Sequence, residues 1–216
     1  MTAPRALIFI AQGTEETEFV ATYDVLVRGG VQVTSVHVGS SNHNAQDPHA
    51  AELVKCSRGV LIKPDKKLDE LAGKIVFSFI GIVCTRVANQ ALEYDAFIVP
   101  GGNEGSATIS ANEDVQALLS AAYGKGKVVA AICAGSLAIK AAGVAKDSPI
   151  TSHPSVKDQL DAEYHYKEDS VVVSDKLITS RGPGTSLHFG LAIVEALQGK
   201  EKRDEIEKPL MLPSNA

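Results

Sequence analysis

Short apolar runs alternate along this chain with longer segments in which apolar and polar residues mix. Most of the runs are continuous, as is typical of strands that are buried on both faces of a sheet. These runs predict strands at residues 6–11, 31–38, 59–62, 96–100, 128–132 and 177–180.

The segments between the runs predict helices. One helix begins at Thr14 or Glu15, runs to about Arg28 and ends at Gly29-Gly30, because glycine commonly terminates helices. Further helices are predicted at residues 115–123, from 134 onwards and at 185–197, and residues 40–49 predict a surface loop. Strands that alternate with helices favour a parallel sheet covered on both faces. We therefore expect a single doubly wound, mostly parallel α/β domain over residues 1–216, of the flavodoxin-like kind.

Composition narrows the choice of partners and compartment. The net charge of −5 and the absence of basic clusters argue against a nucleic-acid partner. The run 199–205 mixes both signs and predicts a solvated helix face or tail. The most apolar stretch, 75–84, is much shorter than the roughly 20 residues that span a bilayer, so no membrane association is expected. Three cysteines, an odd number, without a signal peptide indicate a reducing, cytoplasmic protein, and nothing excludes shuttling to nucleus or mitochondria.

Cys133 stands where the strand at 128–132 passes directly into a helix. Ligands of parallel sheets gather at the carboxyl ends of the strands, and a tight turn of this kind resembles the nucleophile elbow of hydrolases. Small neighbours, Ala134 and Gly135, allow a substrate to approach. A reactive thiolate with a pKa between 5 and 6 needs roughly 4 kcal/mol of stabilisation, more than a helix N-terminus supplies. The alternative for Cys133 is a buried, inert thiol.

Three glutamates, Glu15, Glu16 and Glu18, follow the first predicted strand and lie at the same edge of the sheet. A glutamate that stays protonated can donate a hydrogen bond to the sulfur and act in proton transfer. Acidic residues also favour the first turn of a helix, which explains at least two of the three. Spacing alone does not select the one that meets the sulfur.

Five ordered motifs resemble the ThiJ/PfpI superfamily, and more narrowly the branch of the Parkinson-disease-associated protein deglycase and the glutathione-independent glyoxalases (glyoxalase III). The motifs are Gly13-Thr14-Glu15-Glu16-Thr17-Glu18, Val99-Pro100-Gly101-Gly102-Asn103, Ala130-Ala131-Ile132-Cys133-Ala134-Gly135, Thr151-Ser152-His153-Pro154 and Thr179-Ser180-Arg181-Gly182-Pro183-Gly184-Thr185. The resemblance covers nearly the whole chain apart from two insertions.

The resemblance implies roles for single residues. It makes Cys133 the nucleophile and Glu18 the protonated acid beside it, and His153 an active-site-adjacent histidine. Without the resemblance, the sequence is equally consistent with His153 as a surface residue that precedes a helix. Backbone N–H groups at Gly101, Gly102 and Ala134 are expected to face the reacting oxygen.

The remaining implied roles concern the surroundings of the site. Arg58 is expected to approach from the partner subunit of a homodimer, and the loop holding Arg181 and Pro183 to lie beside the site. Cys56 matches a peripheral cysteine that is more plausibly structural than catalytic. Ser136 replaces a proline of some relatives, and Lys63 replaces a second cysteine of the human-type protein.

The stretch of about 73–90 has no counterpart in the family. It begins with Gly-Lys and ends with Gln, residues that splice junctions can encode, so one hypothesis is a translated intron, which transcript sequencing would test. The alternative is an apolar insertion that pairs with the sheet or with a partner. Cys84 lies inside it without an inferred role.

These expectations lead to a function. The predicted reaction converts a small 2-oxoaldehyde, methylglyoxal, to lactate through a Cys133 hemithioacetal, with Glu18 as acid and base and with neither metal nor cofactor. This is the glyoxalase III (D-lactate dehydratase type) reaction. Two alternatives use the same cysteine: a protein or nucleotide deglycase, and a redox-sensing, chaperone-like stress protein. Peptidase activity is disfavoured because Ala134, not a histidine, follows Cys133.

Overall fold

The computed structural model describes residues 2–39, 53–71 and 93–212. These residues form eleven β-strands and seven α-helices. The strands are β1 (Arg5–Ile10), β2 (Gln32–His37), β3 (Val54–Lys55), β4 (Leu61–Ile62), β5 (Lys66–Lys67), β6 (Ala96–Val99), β7 (Val128–Ile132), β8 (Pro149–Ile150), β9 (His165–Tyr166), β10 (Val171–Ser174) and β11 (Leu177–Ser180). The helices are α1 (Glu16–Arg28), α2 (Leu68–Leu71), α3 (Asn103–Ala111), α4 (Glu113–Gly124), α5 (Ser136–Ala141), α6 (Ser186–Gln198) and α7 (Lys200–Glu207).

The central sheet contains seven strands in the order β10-β11-β7-β6-β1-β2-β5. All neighbours are parallel except β10 and β11. Taken in chain order, the five long parallel strands β1, β2, β6, β7 and β11 have the order 2-1-3-4-5, which is the flavodoxin-like arrangement. The predicted fold class is confirmed. The order reverses between β1 and β6, and ligands of such sheets bind at the carboxyl side of this switch point.

The core lies on both faces of the sheet because the side chains of a strand alternate. Along β1, Leu7 and Phe9 join one apolar cluster, with α3, α4 and α5, whereas Ile8 and Ile10 join the other, with α1 and α6. All four side chains are fully buried. Burial of each stabilises the fold by about 1.5–3 kcal/mol. The continuous apolar runs are therefore strands covered on both sides, as their pattern predicts.

Helix α1 begins where the sequence analysis placed it. Glu15 is its N-cap, and the Glu15 carboxylate accepts a hydrogen bond from the Glu18 N–H at 2.8 Å. Arg28 ends the helix, and Gly29 follows it. The charged run at 199–205 also forms a helix, α7, of which Ile206 is a buried residue.

Several features of the sheets and helices differ from the predictions. The predicted strand 59–62 is reduced to β4, which pairs with β3 outside the central sheet. The antiparallel edge strand β10 and the short edge strand β5 were missed. Helix α3 was missed because its sequence, Asn-Glu-Gly-Ser-Ala-Thr-Ile-Ser-Ala, carries too few apolar residues to show a helical period.

Two predictions fall outside the described residues: the loop at 40–49 and the insertion at about 73–90. Within the described ranges, no helix is both long and apolar enough to cross a bilayer.

Candidate active site

Cys133 occupies a strained turn at the end of β7. Its φ is +62°, a left-handed conformation that costs a non-glycine residue about 1–2 kcal/mol. The chain then enters a short 3₁₀ turn, Cys133–Gly135, before α5. A Cβ at Gly135 would lie 2.5 Å from the Val99 oxygen and 2.7 Å from the Pro100 oxygen, so only glycine lets the turn pack against the end of β6. The geometry is the sharp elbow that the sequence indicates.

Glu18 brings a carboxyl group to the same point from the first turn of α1. The side chain is fully buried, and its Oε2 accepts the Gly101 N–H at 2.7 Å. The carboxyl group also hydrogen-bonds with the Cys133 thiol. An added Cβ at Gly101 would lie 2.6 Å from Glu18 Oε2 and 3.0 Å from Cys133 Sγ, which shows how closely the two groups flank this glycine.

The environment of Glu18 favours its neutral form. Burial raises the pKa of Glu18 to about 7, against the opposing effects of its hydrogen bonds with Cys133 and Gly101. The second oxygen, Oε1, is buried and has no hydrogen-bond partner among the described residues. A carboxylate normally needs donors at both oxygens when it is buried, and a protonated acid needs fewer. Glu18 therefore titrates close to neutral pH, where a group can both give and accept a proton.

The Cys133 thiol differs from the low-pKa thiolate that the sequence analysis expected. Burial, the Glu18 charge and the Glu18 hydrogen bond raise the pKa of Cys133 to about 12, and N–H groups of Ala134 and Gly102 oppose this rise. Because Glu18 and Cys133 share a hydrogen bond and the Glu18 charge opposes ionisation of the thiol, the two groups titrate as a pair. The sulfur is therefore not ionised at neutral pH, and a thiol in this state needs a neighbouring base before it can act as a nucleophile.

The N–H groups of the glycine turn after β6 point differently from the expectation. Gly102 and Ala134 direct their N–H groups at the sulfur, whereas Gly101 donates to Glu18. Gly101 is therefore already engaged and does not face a reacting oxygen. Gly102 adopts a φ of +91°, and a Cβ there would lie 2.2 Å from the Gly13 oxygen, so glycine is required.

His153 precedes the 3₁₀ helix Pro154–Gln159 and caps it. Its Nδ1 accepts the Ser155 N–H at 3.2 Å and lies 2.8 Å from the Ser155 hydroxyl. A Cβ at Gly182 would lie 3.6 Å from His153 Cδ2, which brings the histidine beside the loop that contains Arg181 and Pro183. The contacts of His153 are those of an exposed capping residue, and its part in proton transfer stays a prediction.

Of the loop residues, Arg181 is half-buried and Pro183 is exposed. Arg181 donates from its guanidinium to the Glu168 carbonyl at 2.6 Å, and Pro183 begins a short 3₁₀ turn, Pro183–Thr185, ahead of α6. Neither contact reaches Cys133.

Arg58 and Cys56 lie in the turn between β3 and β4. The Arg58 side chain is exposed, as a residue that reaches a partner subunit would be, but its approach to a second site stays a prediction. Cys56 is buried, and burial followed by the charges of Glu16 and Glu15 raises the pKa of its thiol to about 11. This environment favours an inert, structural thiol at Cys56.

Glu16 makes contacts that the sequence does not predict, since its position indicates only an acidic residue in the first turn of a helix. The Glu16 carboxylate accepts the Ser57 hydroxyl at 2.9 Å and the Arg58 N–H at 2.8 Å. These partners are about forty positions away along the chain, so no local signal in the sequence announces the contact.

Comparisons with known proteins agree with the fold. Residues 4–196 match the model of the DJ-1/PfpI family. The chain is 37% identical to a zebrafish (Danio rerio) protein named Parkinson disease protein 7 homolog, over 98% of this chain and 99% of that one. It is also 37% identical to the Caenorhabditis elegans glutathione-independent glyoxalase DJR-1.2, over 96% of each chain. The crystal structure of Drosophila melanogaster DJ-1beta superposes with a TM-score of 0.81 at 37% identity, over 98% of this chain and 100% of that one.

Proposed function

Because this chain belongs to the DJ-1/PfpI family, we propose that it is an enzyme that converts methylglyoxal to lactate without glutathione. The observation that carries the proposal is the buried Glu18 carboxyl, with a pKa near 7, against the thiol of Cys133 at a strained elbow. A relative with 37% identity is named a glutathione-independent glyoxalase, which supports the same reaction.

The first step joins the substrate to the sulfur. Cys133 Sγ attacks the aldehyde carbon of methylglyoxal while Glu18 takes the thiol proton and passes it to the aldehyde oxygen, which gives a hemithioacetal. A proton acceptor with a pKa near the working pH suits this transfer in both directions. The N–H groups of Gly102 and Ala134, which face the sulfur, stabilise the negative charge that develops beside it.

The second step moves hydrogen within the substrate. Glu18 removes the proton from the carbon bonded to sulfur, which forms an enediol, and the neighbouring carbon is then protonated. The former aldehyde carbon is oxidised to a thioester and the former ketone carbon is reduced to an alcohol. The electrons balance inside one molecule, so no external oxidant or reductant enters. His153, at the rim near Gly182, is a candidate to share this proton transfer.

Water then hydrolyses the thioester, which releases lactate and restores the thiol and the carboxyl group. The net reaction adds one water to one methylglyoxal. This makes the protein a lyase of the glyoxalase III type rather than a hydrolase of glycated proteins.

The test is a glutathione-free assay with methylglyoxal and purified protein, followed by proton NMR. We expect the substrate signals to be replaced by those of lactate, at a rate proportional to protein concentration. A parallel assay with glycated N-acetyl-lysine and N-acetyl-cysteine separates the two reactions: release of free amine or thiol faster than free methylglyoxal is consumed would favour a deglycase. Lactate formation no faster than in protein-free buffer would contradict the proposal.

We also infer that the protein is a homodimer through the face formed by α1 and the β3–β4 hairpin. Val20 and Val27 on α1 and Val60 and Leu61 on the hairpin are between 47% and 57% exposed. Glu16, which lies on the same face of α1 as the two valines by helical spacing, holds the hairpin against that helix. Exposed apolar residues gathered on one face are typical of an interface.

Sedimentation velocity checks the dimer. The expected mass is twice the 22.7 kDa of the chain, and Val20→Glu is expected to give monomer. Val173→Glu is the matched control, because Val173 is also exposed, at 58%, but lies on edge strand β10. Dissociation by Val173→Glu, or a Val20→Glu protein that keeps the dimer mass, would contradict this choice of face.

A further inference from the structure

The carboxylate of Glu16 clamps a second segment of the chain onto the active-site edge. We call residues 53–62, which comprise β3, β4 and the turn between them, the strap. The strap turn surrounds Glu16 with three donors: the Ser57 hydroxyl at 2.9 Å, the Arg58 N–H at 2.8 Å and the Val60 N–H at 3.5 Å. A hydroxyl and two backbone N–H groups that converge in this way can hold a carboxylate.

The clamp is built around a charged group. Glu16 is 8% exposed, and its hydrogen bonds, with its own backbone N–H and with the strap, outweigh burial and lower the pKa of the carboxyl group. Glu16 is therefore ionised at neutral pH, where Glu18, two residues further along, is half protonated. Successive helical residues point about 100° apart, so Glu16 and Glu18 face nearly opposite directions from the same turn of α1.

The strap is also tied to the loop between β1 and α1. The Gly13 N–H donates to the Lys55 carbonyl at 2.9 Å, and the Ser57 N–H donates to the Thr14 carbonyl at 2.8 Å. The Gln12 side chain adds a pair of contacts, accepting from the Lys55 N–H at 2.9 Å and donating to the Leu53 carbonyl at 3.2 Å. Together with the Glu16 clamp, these bonds join the loop and the strap into one unit.

The same loop touches the glycine turn that holds the reacting pair. The Glu15 N–H donates to the Gly101 carbonyl at 3.0 Å, and a Cβ at Gly102 would lie 2.2 Å from the Gly13 oxygen. Gly101 and Gly102 in turn donate to Glu18 and to the Cys133 sulfur. A continuous set of contacts therefore runs from the strap through residues 12–15 to both reacting groups.

We propose that Glu16 is a positioning residue, which clamps the strap onto the β1–α1 loop and thereby sets the placement of the Glu18 carboxyl against the Cys133 thiol. The proposal deepens the proposed function and rests on it for the catalytic consequence only. Its physical consequence is independent of the substrate: when the clamp opens, water reaches Glu18, and the pKa of Glu18 falls towards its ordinary value.

The test is Glu16→Gln, which keeps the volume of the side chain but removes its charge and points amide hydrogens at the strap N–H groups. The rate of Cys133 alkylation by iodoacetamide is followed from pH 5 to pH 10, with the modified residue located by mass spectrometry. We expect the inflection that Glu18 produces near pH 7 to move to lower pH by at least about half a unit. With methylglyoxal we expect kcat to fall about tenfold with little change in KM.

Glu113→Gln is the matched control, because Glu113 also lies in the first turn of a helix, α4, but is exposed. It is expected to leave the alkylation profile unchanged. A folded Glu16→Gln protein with the wild-type profile would overturn the proposal. If Glu16→Gln does not fold, Ser57→Ala decides: this variant removes one donor to Glu16, and it supports the proposal if the inflection moves in the same direction and overturns it if the profile is unchanged. Because alkylation needs no substrate, a failure of the glyoxalase assay leaves this result interpretable.

Discussion

Cys133→Ser is expected to abolish methylglyoxal conversion while the protein stays folded. A serine in this place has no sulfur to form a thioester intermediate, and its hydroxyl is a weaker acid than the thiol, so Glu18 deprotonates it less readily. The hemithioacetal then cannot form, and we expect kcat/KM to fall by at least about 10³-fold. Serine is close to cysteine in size and meets the same strain at φ +62°, so loss of activity reports on the nucleophile rather than on the backbone.

The control for this variant is Cys56→Ala. Cys56 is also buried, and the pKa of its thiol is raised to about 11, but its side chain belongs to the apolar cluster on the α1 side of the sheet. The Cys56→Ala protein should keep its activity within about twofold. The small cavity that the substitution leaves should lower its stability modestly. A Cys133→Ser protein that retains the wild-type rate, by NMR detection of lactate, would contradict the assignment of the nucleophile.

Glu18→Gln is expected to lower kcat by about 10²–10⁴-fold, because the amide can occupy the same space and accept the Gly101 N–H but cannot carry a proton between substrate atoms. Alkylation of Cys133 should persist at high pH, where the thiol ionises without Glu18, while the inflection near pH 7 should disappear, which separates loss of proton transfer from loss of the thiol. Glu113→Gln again serves as the exposed control. Wild-type turnover by a folded Glu18→Gln protein would exclude Glu18 as the acid and base.

The same substitution has a pH-dependent effect on stability. The pKa of Glu18 is about 7 in the folded protein and near 4.5 in the unfolded chain, so the unfolded state loses this proton first as the pH rises. The stabilisation is full below about pH 4.5 and is lost as the pH rises through 7. One pKa unit corresponds to about 1.4 kcal/mol, so between pH 5 and pH 8 the wild type should lose about 2–3 kcal/mol relative to Glu18→Gln. Urea unfolding of both proteins at the two pH values measures the difference, and a constant difference would mean that Glu18 is not held neutral by burial.

The chemistry proposed for this chain depends on one pair of groups, the Glu18 carboxyl and the Cys133 thiol. Burial makes each of them reluctant to ionise, and their hydrogen bond lets one proton serve both. Such a pair can deliver a thiolate at the moment of attack without keeping one exposed at rest. This arrangement replaces the permanently ionised sulfur that the sequence analysis expected.

The sequence pattern alone could not identify which of the three glutamates contacts Cys133. Position alone placed all of them at the right edge of the sheet, and only the family resemblance singled out Glu18. The structure supplies the physical reason: Glu15 caps α1, Glu16 turns outwards to the strap, and Glu18 turns inwards to Gly101. A helix rotates about 100° per residue, so neighbours with the same chemistry reach different surroundings once the helix start is fixed.

The sequence by itself determined the strands β1, β6, β7 and β11, the flavodoxin-like class and the elbow at Cys133, because continuous apolar runs and small residues at a strand end are local signals. Only the tertiary structure decided the direction of the Cys133 pKa, the engagement of the Gly101 N–H and the clamp formed by Glu16. Each of these depends on desolvation, or on a contact between residues roughly thirty to eighty positions apart. No local pattern encodes such quantities, because they arise only when distant segments exclude water from the same few ångströms.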